Sequence, residues 1–223
     1  MGSEMCIRDR NNNLALIDIM NARTPQGDWA RRLGDIPAAL EAYAKAVAAV
    51  EKMDGPNAPY SSLDALVQVH HRMAAALQSA GQLDAALLSL GKAERYLNRA
   101  EKLNPGTTRG ALREAEIGAV RADVFAAQKK WPEAIASYTA VISIYESQRL
   151  RDPKNESLLS DQPDLYAKLA DGYAAVGDRA NAVRAMNTAI ERTRELEARR
   201  PLVHDEEQGR QSNLAKLSEW AAK

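Results

Sequence analysis

Four stretches of this chain begin alike. "GDIPAALEAYAKA" (34–46), "GQLDAALLSLGKA" (81–93), "KKWPEAIASYTAV" (129–141) and "GDRANAVRAMNTA" (177–189) follow one another at intervals of 47, 48 and 48 residues. A motif that returns at so fixed a spacing marks stacked copies of one small unit, each burying its apolar face on its neighbours. Few other architectures tolerate such a sequence.

Each opening motif predicts a long helix, here termed helix B. Ile36, Ala39, Leu40, Tyr43, Val47 and Val50 recur at steps of three and four, forming one apolar stripe. Leu83, Leu87, Leu90 and Leu97 repeat it, as do Trp131, Ile135, Tyr138, Ile142 and Tyr145, and then Val183, Met186 and Ile190. Asp35 suits an N-cap, and Pro37 is tolerated in a first turn. Breakers end each copy at "DGPNAP" (54–59), "NPGTTRG" (104–110), "RDPKNE" (151–156) and Pro201. A second helical segment, helix A, precedes each motif at 62–80, 111–128 and 163–176. The first copy (15–33) contains Pro25, which is expected to kink or split its helix.

Counting from each turn, the positions seven before, five after and twelve after share a character. They are Gly27, Ala39, Ala46; Ala74, Ala86, Ala93; Ala122, Ala134, Val141; and Ala170, Ala182, Ala189. Small residues in one register let the backbones of helices A and B approach closely. The pattern resembles the tetratricopeptide repeat. The fourth copy carries it most fully, with Tyr166, Leu169, Ala170, Tyr173, Gly177, Ala182 and Ala189 on the family's signature positions. Tyr166 stands in place of Trp, Met186 in place of an aromatic, and Lys129 in place of the third turn glycine. The family's period is about 34 residues, so both the helices and the linkers here are longer.

The predicted fold is all-α: an α-solenoid of four antiparallel helix-pair repeats (about 14–54, 62–103, 110–150 and 162–200, within 11–203) plus a C-terminal capping helix over 204–223. The opening "MGSEMCIRDR" lacks the apolar core of a secretory signal. "MCIRDR" resembles a translated sequencing adapter of metagenomic gene models and "MGS" a cloning start. Residues 1–10 are therefore expected to be an artefactual, disordered leader, with the natural protein continuing upstream.

Composition narrows function. Thirty Lys and Arg balance thirty Asp and Glu, which gives no support to nucleic-acid or membrane-surface binding, since both favour a basic excess. Cys6 is the single cysteine, so no internal disulfide forms. No run approaches the roughly 18 apolar residues of a membrane span. The expected location is cytoplasmic, or extracytoplasmic if a membrane span precedes the array.

Catalytic and metal chemistry find little footing. Neighbouring helical residues diverge by about 100°, so His70 and His71 do not chelate one ion; His70 falls on a core position and His71 faces the inner groove. "HDEE" (204–207) reads as acidic residues favouring a helix dipole. No phosphate-cradling glycine loop, G-x-S-x-G or CxxC pair is present. Tyr43, Tyr138, Tyr145, Trp131 and Trp220 read mostly as packing, and "ERTRELEARR" (191–200) as a solvated face. No metal and no cofactor are expected, and the chain reads as non-enzymatic.

In tetratricopeptide arrays helix A lines the concave, ligand-contacting surface. The resemblance implies a groove here of Asp28, Gln68, His71, Gln78, Glu116, Asp123, Asp164 and Asp171, around structural positions that include Gly177. Asp28, Asp123 and Asp171 are register-equivalent. The family's carboxylate clamp of Lys, Arg and Asn is missing, so the expected partner is a basic or neutral extended protein segment. The implied role is a protein-interaction scaffold. The long period and final "WAA" helix also resemble the C-terminal arrays of bacterial serine/threonine kinases, where the scaffold positions substrates or regulators. The alternatives are a self-association module, or a peptide or small-molecule sensor domain of a regulator.

Overall fold

A computed structural model of the chain describes residues 2–222 as backbone and 14–220 with their side chains. The helices are α1 (Gly2–Arg32), α2 (Ile36–Val50), α3 (Tyr60–Ser79), α4 (Leu83–Leu103), α5 (Thr108–Ala127), α6 (Trp131–Arg151), the short α7 (Ser157–Ser160), α8 (Gln162–Ala175), α9 (Arg179–Glu197) and α10 (His204–Ala222). Among the described residues there is no strand. Two compact units divide the chain, Met1–Val120 and Arg121–Lys223, with the boundary inside α5.

The four turns share one hydrogen-bond pattern. Asp35 N–H donates to the Ala30 carbonyl at 2.9 Å and Gly34 N–H to Arg31 at 3.1 Å. The same pair of bonds closes α3 (Gln82 to Leu77, Gly81 to Gln78), α5 (Lys130 to Phe125, Lys129 to Ala126) and α8 (Asp178 to Tyr173, Gly177 to Ala174). This is the Schellman closure, which demands a left-handed residue just past the helix. Gly34, Gly81 and Gly177 supply it at φ 78°, 72° and 80°, while Lys129 is forced to φ 60°. Asp35 and Asp178 then cap the following helices through the N–H groups of Ala38 and Asn181.

Each predicted small position is buried where A and B cross. Ala39, Ala46, Ala74, Ala86, Ala93, Ala122, Ala134, Ala170 and Ala189 are fully enclosed, and Val141 and Ala182 are 1% exposed. At Gly27 a β-carbon would come within 2.5 Å of the Tyr43 ring. In the first unit α1 packs on α2, α2 on α3 and α3 on α4; in the second, α6 on α8, α8 on α9 and α9 on α10. The core of the first unit joins Ala46, Ala49 and Val50 of α2 to Leu63, Leu66 and Val69 of α3. Helix pairs repeated in this order are the antiparallel arrangement that the register predicts.

Several details differ from the sequence expectation. Pro25 does not split the first helix: α1 runs unbroken through it. Pro25 and Asn21, whose carbonyl loses its usual donor, are both exposed, so water can replace that bond. The backbone of 2–10 is helical as part of α1, since neither Pro nor Gly occurs between Gly2 and Pro25 to stop it; the side chains of 1–13 lie outside the described residues. The "RDPKNE" breaker is followed by α7, which plugs the core with Leu158 and Leu159 at 2% and 0% exposure.

The last helix repeats the register of helix A. "AKLSE" (215–219) in α10 matches "AKLAD" (167–171) in α8 at 48 residues. Ser218 falls on the small position, yet it is exposed, whereas Gly27, Ala74, Ala122 and Ala170 are buried.

The third turn holds a side chain where a glycine would be unstrained. Left-handed geometry costs a non-glycine residue roughly 1–2 kcal/mol, and the other three turns avoid it. Lys129→Gly is therefore expected to stabilise the protein by up to about 1 kcal/mol once glycine's greater unfolded entropy is subtracted. A denaturant titration checks this through an upward shift in the urea midpoint.

Candidate partner-binding groove

Three helices A line a groove in the first unit, with a volume of about 640 Å³. Its apolar floor comes from Ile17 and Met20 of α1, Ala65 of α3 and Leu112 of α5. Asn21, Tyr60, Asp64, Gln68, Arg109, Arg113 and Glu116 supply its polar wall. Gln68 and Glu116 are the two sequence-predicted groove residues that meet here.

A charged chain runs along the wall. Arg113 Nε donates to Asp64 Oδ1 at 3.0 Å and Nη1 to Glu116 Oε2 at 2.8 Å. Arg109 Nη1 reaches the other Asp64 oxygen at 3.3 Å, with its side chain 65% exposed. Burial works against the charge of Arg113, but the Asp64 and Glu116 carboxylates outweigh it and hold the guanidinium above its ordinary pKa. Arg113 is thereby fixed, while Arg109 stays available to solvent.

Behind Glu116 sits His71, buried rather than open to the groove, with Nδ1 3.7 Å from Glu116 Oε2. His70, on the neighbouring face, stacks on Tyr96 at 5.6 Å and lies 3.5 Å from Glu51. Burial pushes both imidazoles down to about 4. At neutral pH they are uncharged, so these carboxylate contacts are not ion pairs.

The register-equivalent aspartates are all partnered. In the first unit Asp28 accepts the Tyr43 hydroxyl at 2.6 Å and the Arg72 guanidinium. In the second unit Asp123 accepts the Tyr138 hydroxyl at 2.6 Å and Lys168 Nζ at 3.1 Å. Lys168 also reaches the exposed Asp164 at 3.0 Å. Asp171 takes Lys216 Nζ at 2.7 and 2.9 Å. Burial, then Asp28, pushes the Tyr43 phenol up to about 12; burial and Asp123 push Tyr138 the same way. Gln78 occupies the last turn of α3, outside the cavity lining, and its carbonyl accepts Gly81 N–H. Thus each unit carries its own set: Gln68, Glu116 and His71 cluster in the first, where Asp28 pairs separately, and Asp123 and Asp164 are joined through Lys168 in the second.

Sequence reasoning missed Asn21, Asp64, Arg109 and Arg113, and it missed the cations that neutralise the aspartates. A signal existed. Asp28 and Arg72 lie 44 residues apart, and Asp64–Arg109, Asp123–Lys168 and Asp171–Lys216 lie 45 apart. Opposite charges separated by one repeat less one helical turn meet on adjacent helices A. Where the second repeat carries Ala75 instead of aspartate, the tyrosine and cation registers hold Leu90 and Val120. The polar triad is replaced as a set.

Among the described residues no group of three or more His, Cys, Asp or Glu could hold a metal ion, and no helix is long and apolar enough to cross a membrane.

No protein-family model matches the sequence, and no curated protein matches it either. Solved structures do. The chain is similar to a Podospora anserina protein of nearly identical TPR-like repeats, at 18% identity and TM-score 0.59, covering 90% of this chain and 84% of that one. A variant of that protein with one substitution matches with the same figures. The MamA protein is similar at 20% identity over 83% of this chain and 97% of that one, with TM-score 0.42. At 18% identity the likeness to the Podospora repeat structures is one of fold, and it defines the class: an all-α protein of TPR-like helical repeats.

The buried histidines give the stability a definite pH dependence. Their pKa in the unfolded chain is near 6.5 and in the fold about 4. The unfolded state therefore binds protons first as pH falls, and stability is lost between about 6.5 and 4. The urea midpoint is expected to drop over this window, and to drop less in His71→Gln. An unchanged slope in that variant would show that His71 does not contribute.

Proposed function

We propose that the protein is a non-catalytic interaction scaffold that holds an extended partner segment against α1, α3 and α5. The observation that carries this reading is the groove itself: an apolar floor beside the amides of Asn21 and Gln68 and the exposed guanidinium of Arg109. Side-chain amides suit an extended peptide because each offers both a donor and an acceptor to its backbone. The fold likeness to TPR-like repeats adds support by analogy only.

Charge favours a neutral segment over a strongly basic one. A basic ligand at Asp28, Asp123 or Asp171 has to displace Arg72, Lys168 or Lys216, which are tethered to the same chain. Attached to a catalytic domain, as in the kinase arrays that the sequence resembles, such a scaffold positions substrates or regulators.

The test is selection from a displayed library of peptides about 12 residues long, enough to span an interface of this kind, on the whole chain, followed by affinity measurement on the selected peptides. Gln68→Ala and Arg109→Ala are each expected to weaken binding about tenfold, or roughly 1.4 kcal/mol, with unchanged circular dichroism. Failure to select any peptide, or affinities indifferent to both substitutions, would overturn the reading.

A further inference from the structure

The second unit encloses a cavity of about 270 Å³ among α8, α9 and α10. Pro163 and Ala167 of α8 and Leu196 of α9 form its apolar wall, and Gly209 and Asn213 of α10 complete it. Asn213 follows Val69, Ile117 and Leu165 at steps of 48 residues, and each of those three is a buried hydrocarbon. In the first unit Val69 shares a core with Val50 of the preceding helix B. The residue in the place of Val50 here is Thr193, also buried. An amide and a hydroxyl thus replace an apolar pair at this junction. Gly209 matches Ala65 of α3 and Arg113 of α5, and a β-carbon on it would meet no atom within 4 Å. Glycine is unfavourable inside a helix, and here it leaves the cavity open.

The polar groups of the lining are not equally engaged. Thr193 donates its hydroxyl to the Ala189 carbonyl at 3.0 Å. Asn213 is only 7% exposed, yet among the described residues its amide makes no hydrogen bond. Burial without a partner is costly for an amide, and the cavity is where a partner has room to sit. Charge adds a second selection. Asp164, Asp205 and Glu206 line the cavity together with Arg210. Glu206 is held by Arg200 at 2.7 Å, Arg210 by Glu207 at 2.7 Å and Asp164 by Lys168 at 3.0 Å. Asp205 is exposed and has no ion-pair partner among the described residues. Asp205, Gly209 and Asn213 follow one another four residues apart on one face of α10, a row about 12 Å long at 1.5 Å per residue.

We propose that this cavity binds a small linear aliphatic amine. Its ammonium pairs with Asp205, its hydrocarbon chain crosses Gly209 against Pro163, Ala167 and Leu196, and a neutral hydrogen-bonding end meets the Asn213 amide. Asn213 offers both a donor and an acceptor, so a hydroxyl or an amide satisfies it. A second charge at that depth is disfavoured, because no opposite charge at Asn213 offsets its lost hydration. The cavity holds on the order of ten non-hydrogen atoms, at the ~30 Å³ that a water molecule occupies in the liquid. The site is separate from the groove of the first unit and does not rest on it.

Titration of aminohexanol into the whole chain, followed by backbone amide NMR at constant ionic strength, tests the proposal. Saturable shifts centred on Gly209 and Asn213 are expected, with a dissociation constant in the low-millimolar range or tighter. Hydroxyhexanoate, of similar length but opposite charge, should bind about tenfold more weakly. Asp205→Asn should weaken aminohexanol about threefold, as loss of an exposed ion pair does. Asn213→Leu restores the residue of α8 at this register. It should raise the urea midpoint and weaken aminohexanol about tenfold, since the hydrogen bond goes and the space fills. Gly209→Leu should abolish binding with helicity unchanged. Absence of saturable shifts overturns the proposal and leaves a cavity that holds water alone. So do equal affinities for the two probes, or an affinity indifferent to Asp205→Asn and Asn213→Leu. Peptide selection on the groove uses residues of the first unit, so the two results are independent.

Discussion

The distance at which helices A and B cross governs the rest of this molecule. Gly27 lets the Tyr43 ring sit against the backbone of α1, where a single β-carbon would fall within 2.5 Å. The same closeness recurs at Ala74, Ala122 and Ala170, all without exposed surface. A larger residue there would open the pair and move every side chain that the pair presents. Packing at near-crystalline density leaves no slack to absorb such a change.

Because the crossing is tight, the polar chemistry is pushed to the edges of the pair and becomes repetitive. Tyr43 and Tyr138 emerge beside Asp28 and Asp123, fifteen residues earlier in each case. A cation from the next helix A completes the triad. These groups are part-buried, where charge-assisted hydrogen bonds contribute more than ion pairs in open water. The outcome is a set of neutralised aspartates, Asp28, Asp123 and Asp171, along the helices A. Gln68 and Arg109 lie off this register, and the Arg109 side chain remains 65% exposed.

The same repetition makes departures from it informative. Lys129 holds a glycine's conformation, and Ser218 lies exposed on a position that is elsewhere buried. Trp29 and Ile19 stand in the open where their equivalents are covered. At Lys129 the backbone follows the repeat and the residue does not; at the others the sequence follows the repeat and the surroundings do not.

The turns, the crossing points and most helices were legible in the residues, the unbroken α1 and the short α7 being the exceptions. Period 3.6 in the apolar stripes, glycine at the left-handed turns and small residues in register are local properties, and each unit states them again 47 or 48 residues later. What only the tertiary structure decided is which side chains meet across repeats. Asp64 with Arg113 and His71 with Glu116 lie 49 and 45 residues apart, and their contact depends on how one helix A sits beside the next. The long helices carry polar residues on several faces, and sequence period alone does not select the one that turns inward. Hence His71, expected at the groove, is buried behind Glu116, and the groove aspartates Asp28, Asp123 and Asp171 are held by Arg72, Lys168 and Lys216.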